Sequence, residues 1–148
     1  MLKGISPLIS PELLKILAEM GHGDTICFAD GNYPAEANAR AGGCKIVRLD
    51  GQPIVPLLSA VLEVFPLDEN TEKPATLMAK QPCDKELETP IWDEFAACLE
   101  AADRRGASAM GFADRFDFYD LSKKCYCIVQ TGEGALYANI MLKKGVVK

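Results

Sequence analysis

The chain is poor in histidine, in clustered basic residues and in long apolar runs, and each shortage removes a class of function. It has one histidine, and its six cysteines (Cys27, Cys44, Cys83, Cys98, Cys125 and Cys127) include no C-x-x-C pair. A zinc centre therefore lacks a ligand set, and no metal is expected. The cysteines read instead as buried reduced thiols. Cys125 and Cys127 alternate along a predicted strand and so share a face, and Cys27 and Cys98 lie inside apolar patterns. Formal net charge is −5, and basic residues come no closer to clustering than doublets such as Lys143-Lys144 and Arg104-Arg105. Phosphate backbones demand more, so no nucleic-acid partner is expected. No apolar span has the length of a membrane helix and no leader pattern opens the chain, which makes the cytoplasm the expected location. Repeats and low-complexity tracts are missing. Gly132-Glu133-Gly134 is a lone G-x-G without the third glycine of a dinucleotide loop, and neither G-x-S-x-G nor H-E-x-x-H occurs.

What is present fits a single domain over residues 1–148. That length, with 49% hydrophobic residues, supports one well-buried core. Ser10-Pro11-Glu12 starts a helix whose apolar face is Leu13, Leu14, Leu17 and Met20, with Gly21 as its left-handed cap. A buried strand follows over 25–29. The loop Gly31-Asn32-Tyr33-Pro34 leads to a strand over 44–49, and Leu57, Leu58, Val61, Leu62 and Phe65 predict a helix over 54–65. Further strands are expected at 76–79, 107–112, 125–130 and 136–142, with helices from Thr89-Pro90 to about Arg105 and over 114–121. The stretch 66–90 is polar and proline-bearing and reads as a surface excursion. This order predicts a three-layer α/β/α sandwich around a mixed, mostly parallel sheet.

His22 sits between Gly21 and Gly23 in the tight turn from the first helix to the first strand. Glycine neighbours add no side-chain bulk, and an imidazole titrates near neutral pH, so a small ligand can approach a proton-transfer group here. The alternative is an ordinary surface-loop histidine.

Three separated segments carry a family likeness: LKGISPLISPELLKILAEMGHGDTICFAD from Leu2 to Asp30, RFDFYD from Arg115 to Asp120, and TGEGALYANIMLKKG from Thr131 to Gly145. In them the chain resembles the L-fucose mutarotase branch of the D-ribose pyranase/fucose mutarotase family. The resemblance implies interconversion of the α and β anomers of L-fucose without a cofactor. It makes His22 the proton donor and Asp30, Arg115, Tyr137 and Asn139 substrate-binding residues, with Tyr119 lining the same pocket. It also implies a ring-shaped homo-oligomer, commonly a decamer, with pockets near subunit boundaries. Ala138 departs from the Tyr-Gly-Asn triplet usual in the fucose branch, and its methyl group would crowd a close backbone approach.

The residue chemistry is compatible. Mutarotation takes a proton from the anomeric hydroxyl and delivers one to the ring oxygen, which a neutral-range acid/base group accomplishes. Arg115 offers paired donors to vicinal hydroxyls, and Tyr137 and Asn139, two apart on a predicted strand, share one face. Two other readings stay open: a pyranase acting on D-ribose, and a monosaccharide-binding protein without turnover. Pocket size near Tyr33, Phe118 and Ala138 separates the two sugars.

Overall fold

Ser10 begins the first helix as its composition dictates. Its hydroxyl accepts the Leu13 N–H at 3.1 Å, Pro11 occupies the first turn, and Glu12 faces the positive helix end. This helix, α1 (Pro11–Glu19), buries Leu13, Ile16 and Leu17. It stops at Met20, whose backbone is extended; the left-handed residue of the turn is Gly23 (φ 88°), not Gly21. A bend one residue pair later than expected leaves His22 exposed at the tip.

The computed structural model describes residues 2–148. Strands β1 (Thr25–Ala29), β2 (Lys45–Leu49), β3 (Ala75–Met78), β4 (Met110–Ala113), β5 (Cys127–Thr131) and β6 (Ile140–Lys143) form one sheet in the order β2-β5-β1-β6-β3-β4. Only β6 runs against the rest; it pairs antiparallel with β1 and β3. Strand β1 is central and covered on both faces, which is why its sequence is an unbroken apolar run rather than an alternating one. Ile26 and Phe28 point into one core, Cys27 and Ala29 into the other.

Five helices cover the two faces, giving the expected α/β/α layers. On the first face α1, α3 (Ile54–Leu62) and α4 (Ile91–Asp103) bring Leu13, Leu57, Leu58, Phe95 and Leu99 against Ile26, Phe28 and Val129. On the second, α2 (Ala35–Gly42) and α5 (Arg115–Ser122) contribute Ala35, Ala39 and Phe118 against Cys27, Ile128 and Met141.

Several expected details are corrected. Helix α2 falls where no element was predicted, because its buried side are alanines and Asn38 rather than a stripe of large apolar residues, and Pro34 supplies no side-chain cap. Residues 106–109 form a 3-10 turn before β4 rather than a strand, and α3 ends at Leu62, ahead of Phe65. Cys125 precedes β5 instead of lying in it. Its thiol packs beside Met141 in the second core while Cys127 lies in the first, so the two do not share a face. Cys27 is buried as expected, whereas Cys98 is only partly so. Within the supposed surface excursion, β3 is an interior strand between β6 and β4.

Helix α2 ends in direct contact with the chain after α5. A Cβ on Gly42 would stand 1.9 Å from the Lys123 carbonyl oxygen, a backbone atom that cannot swing aside. Gly42→Ala is therefore expected to destabilise the fold by about 1–3 kcal/mol, the usual range for overpacking. The measurement is a urea melt: the midpoint drops at constant slope if the contact is as close as described, and an unchanged midpoint refutes it.

Candidate functional site

Where β1 and β3 end, the chain departs toward opposite faces of the sheet, to α2 on the second and to α4 on the first. Such a divergence at the carboxyl ends of strands opens a crevice. Here the antiparallel β6 enters between them, so the residues before it form the crevice wall. A cavity of about 210 Å³ results, small for a ligand site and sized for a compact molecule. Asp30 and Tyr33 line it from the end of β1, Met78, Gln81 and Asp84 from the end of β3, Arg115 and Tyr119 from α5, and Leu136, Tyr137 and Asn139 from the approach to β6.

Asp30 is the best-held group. It is 5% exposed. Its Oδ2 accepts the Asn139 side-chain amide at 2.7 Å, its Oδ1 accepts the Asn32 N–H at 2.9 Å, and its own N–H donates to Asn139 Oδ1 at 2.9 Å. The reciprocal clamp fixes both side chains in the cavity wall. Burial raises the Asp30 carboxyl above its ordinary range, outweighing the bonds from Asn32 and Asn139 that act the other way. The result is a carboxylate poised to accept hydroxyl hydrogens in a partly dry site.

Arg115 is exposed at the start of α5, and its Nε donates to the Tyr119 hydroxyl one turn on at 2.9 Å. Among the described residues no ion pair ties it to Asp114, and the guanidinium's other donors have no hydrogen-bond partner there, which leaves them available to the cavity. Tyr33 stays a neutral phenol because burial pushes its titration far up; it donates to Ser122 at 2.7 Å and stands edge-on to Tyr119.

Tyr137 and Asn139 reach the same cavity, but by a different route from the expected strand alternation. Strand β6 begins only at Ile140, and Tyr137 has the left-handed backbone (φ 60°) that L residues adopt at a cost of roughly 1–2 kcal/mol. Trp92 offsets it by donating from Nε1 to the Tyr137 carbonyl at 2.9 Å. The Tyr137 hydroxyl donates to Asp84 Oδ2 and accepts the Gln81 N–H at 3.2 Å. Burial first, and then the bond to Asp84, raise the phenol's pKa. Ala138 is fully buried among first-core residues and does not line the cavity, so its methyl group crowds nothing there. Phe118 is likewise core rather than wall.

His22 is not with these residues. It precedes the amino end of β1 whereas Asp30 follows its carboxyl end, so the five intervening strand residues separate them by roughly 16 Å. At its own end, His22 Nε2 lies 3.4 Å from Oδ1 of Asp68, a buried carboxylate. Asp68 also accepts from the Thr71 hydroxyl at 2.6 Å and the Asn70 N–H at 3.1 Å, with Lys143 Nζ at 3.4 Å. The Thr71 bond above all holds its carboxyl far below the usual carboxylate range. An ionised carboxylate beside Nε2 is an acceptor for the imidazole tautomer that carries its N–H there, and so orients the ring. Asp68 escaped the sequence reading because nothing local marks it; its link to His22 spans 46 residues. Among the described residues there is no group of His, Cys, Asp and Glu that could hold a metal ion, and no helix long and apolar enough to cross a membrane.

An α/β sandwich with a small cavity rich in hydroxyl-binding groups, and an aspartate-supported histidine elsewhere on the chain, has the features of a protein that binds a compact, polar small molecule. The chain belongs to the RbsD / FucU transport protein family, whose model matches residues 3–147. It is 47% identical to the human fucose mutarotase, over 99% of this chain and 94% of that protein. Among solved structures, FucU from Bifidobacterium longum superimposes with a TM-score of 0.95 at 51% identity, covering 99% of this chain and 100% of the other. A Streptococcus pneumoniae fucose mutarotase in complex with L-fucose does so with a TM-score of 0.91 at 43% identity, covering 99% and 100%.

Proposed function

We propose that this protein is an L-fucose mutarotase, an isomerase that interconverts the α and β anomers by cofactor-independent ring opening and reclosure. The observation that carries the reading is the joining of the Asp30–Asn139 clamp with Arg115, Tyr119 and Tyr137 around one small cavity in a chain similar throughout its length to fucose mutarotases. Asp30 and Asn139 bind sugar hydroxyls as acceptor and donor, and Arg115 donates to a vicinal pair. Met78 and Leu136 give the cavity an apolar side that suits the methyl terminus of a 6-deoxy sugar.

The chemistry moves protons only. The anomeric hydroxyl loses its proton as the bond between C1 and the ring oxygen breaks, and that oxygen is protonated. The aldehyde then turns about its bond to C2 and the ring closes on its other face. His22 is the acid/base group, oriented by Asp68. The separation along β1 supports a reading in which His22 serves a cavity on a neighbouring copy of the chain. Exposed Leu136 on the cavity wall and exposed Phe116, whose ring stands edge-on to Tyr119, give that copy an apolar surface to cover. A closed ring, in the form of a decamer, meets the requirement that every cavity receive one histidine. The cytoplasm is the working location.

The test is saturation-transfer proton NMR on L-fucose and on D-ribose at anomeric equilibrium, with and without protein. Faster exchange between the anomeric signals of L-fucose, and much less effect on ribose, is the expected result. Acceleration that involves the furanose forms of ribose would make the protein a pyranase. No acceleration for either sugar would leave a binding protein.

A further inference from the structure

Residues 79–90 leave the end of β3 and fold back in a 3-10 turn, Pro82–Asp84, whose last residue lines the cavity beside Tyr137. The bonds at this point are directional. Tyr137 has one hydroxyl hydrogen and gives it to Asp84 Oδ2, while the Gln81 N–H at 3.2 Å occupies a lone pair on the same oxygen. A phenol so engaged has no hydrogen left for a ligand. Asp84 Oδ1, by contrast, has no hydrogen bond and no ion pair among the described residues, although the residue is half-buried in the cavity wall. Tyr137 is itself anchored, its left-handed backbone tied by the Trp92 Nε1 N–H at 2.9 Å. A fixed donor therefore orients a cavity-lining carboxylate whose second oxygen is unengaged.

We propose that Asp84 is a further sugar-binding residue: Tyr137 orients its carboxylate, and Oδ1 accepts a hydroxyl hydrogen of the sugar. This rests on the cavity being the monosaccharide site. Its consequence is a division of labour in which Tyr137 contacts the sugar with its ring and Asp84 supplies the polar contact that Tyr137's hydroxyl would otherwise be credited with. Two carboxylates against one guanidinium also leave the cavity with a surplus of negative charge, which favours a neutral sugar over a phosphorylated one.

The experiment measures L-fucose affinity by calorimetry, separately from anomer exchange, for the wild type, Asp84→Asn and Tyr137→Phe. The asparagine variant keeps an acceptor for Tyr137 but loses the charged acceptor facing the sugar. Its Kd is expected to rise about tenfold or more, the effect of one charge-assisted hydrogen bond, with the melting temperature unchanged. Tyr137→Phe leaves the carboxylate present but free to turn, and about a threefold rise is expected. Wild-type affinity in Asp84→Asn overturns the proposal, as does a larger loss in Tyr137→Phe than in Asp84→Asn, because the phenol would then be the group touching sugar. A wild type that binds L-fucose without accelerating exchange removes the mutarotase reading and leaves this test intact; one that binds neither fucose nor ribose overturns both.

Discussion

Asp30→Asn is expected to slow enzyme-dependent exchange of L-fucose anomers by about a hundredfold or more, through lost affinity and misplaced substrate together. The aspartate makes two charge-assisted bonds inside the protein, from Asn139 and from the Asn32 N–H, and each such bond is worth about 1.5–3 kcal/mol. An asparagine in its place cannot satisfy both. With its oxygen toward the Asn32 N–H it turns an amide N–H2 against that of Asn139, and rotating Asn139 to cure this breaks the bond that Asn139 Oδ1 accepts from the residue 30 N–H. The wall of the cavity therefore loosens at the point where sugar hydroxyls dock. A pH profile gives an independent check. Because burial raises the Asp30 carboxyl, binding should be lost on acidification at a higher pH than an exposed aspartate would dictate, and the loss should vanish from the profile of Asp30→Asn. An Asp30→Asn protein that exchanges fucose at close to the wild-type rate would remove Asp30 from the site.

The residues that were legible in the sequence are those whose signals are local. Ser10, Pro11 and Glu12 announce α1 by capping chemistry, and the apolar run over 25–29 announces a strand covered on both faces. Asp30, Arg115, Tyr119, Tyr137 and Asn139 are marked by short segments resembling a family, and the fold brings all five to one cavity. What was illegible depends on contacts between distant parts of the chain. Tyr137 lies in a left-handed conformation that tyrosine has no intrinsic reason to adopt and that Trp92, 45 residues away, makes tolerable. The strand prediction over 136–142 started too early for that reason. Asp68 and Asp84 look like ordinary surface-loop acids, and only the fold sets one beside His22 and the other beneath the Tyr137 hydroxyl. The turn position of His22 is legible from its flanking glycines, but spacing along a chain does not reveal that the first strand keeps it from Asp30.

His22→Gln is expected to abolish acceleration of fucose exchange, by about two to four orders of magnitude, which is the usual contribution of a positioned general acid/base. Glutamine keeps a polar side chain of similar reach but does not titrate. Because His22 is exposed on a turn and packs into neither core, the melting temperature and L-fucose affinity should change little. Near-wild-type exchange in this variant would sink the assignment. The sharper test uses two inactive variants at once. If His22 acts on a cavity belonging to a neighbouring copy, a site is intact whenever an Asp30→Asn chain offers its histidine to the cavity of a His22→Gln chain. Random one-to-one assortment makes about one quarter of the sites in the mixed oligomer of that kind. Co-refolding the two variants should accordingly restore roughly that fraction of wild-type exchange, whereas either refolded alone stays inactive. Were His22 to reach the Asp30 cavity of its own chain, no assortment would bring the two wild-type residues together and the mixture would stay as inactive as its parts. Recovery or silence thus decides whether the roughly 16 Å imposed by β1 is bridged between copies of the chain or within one.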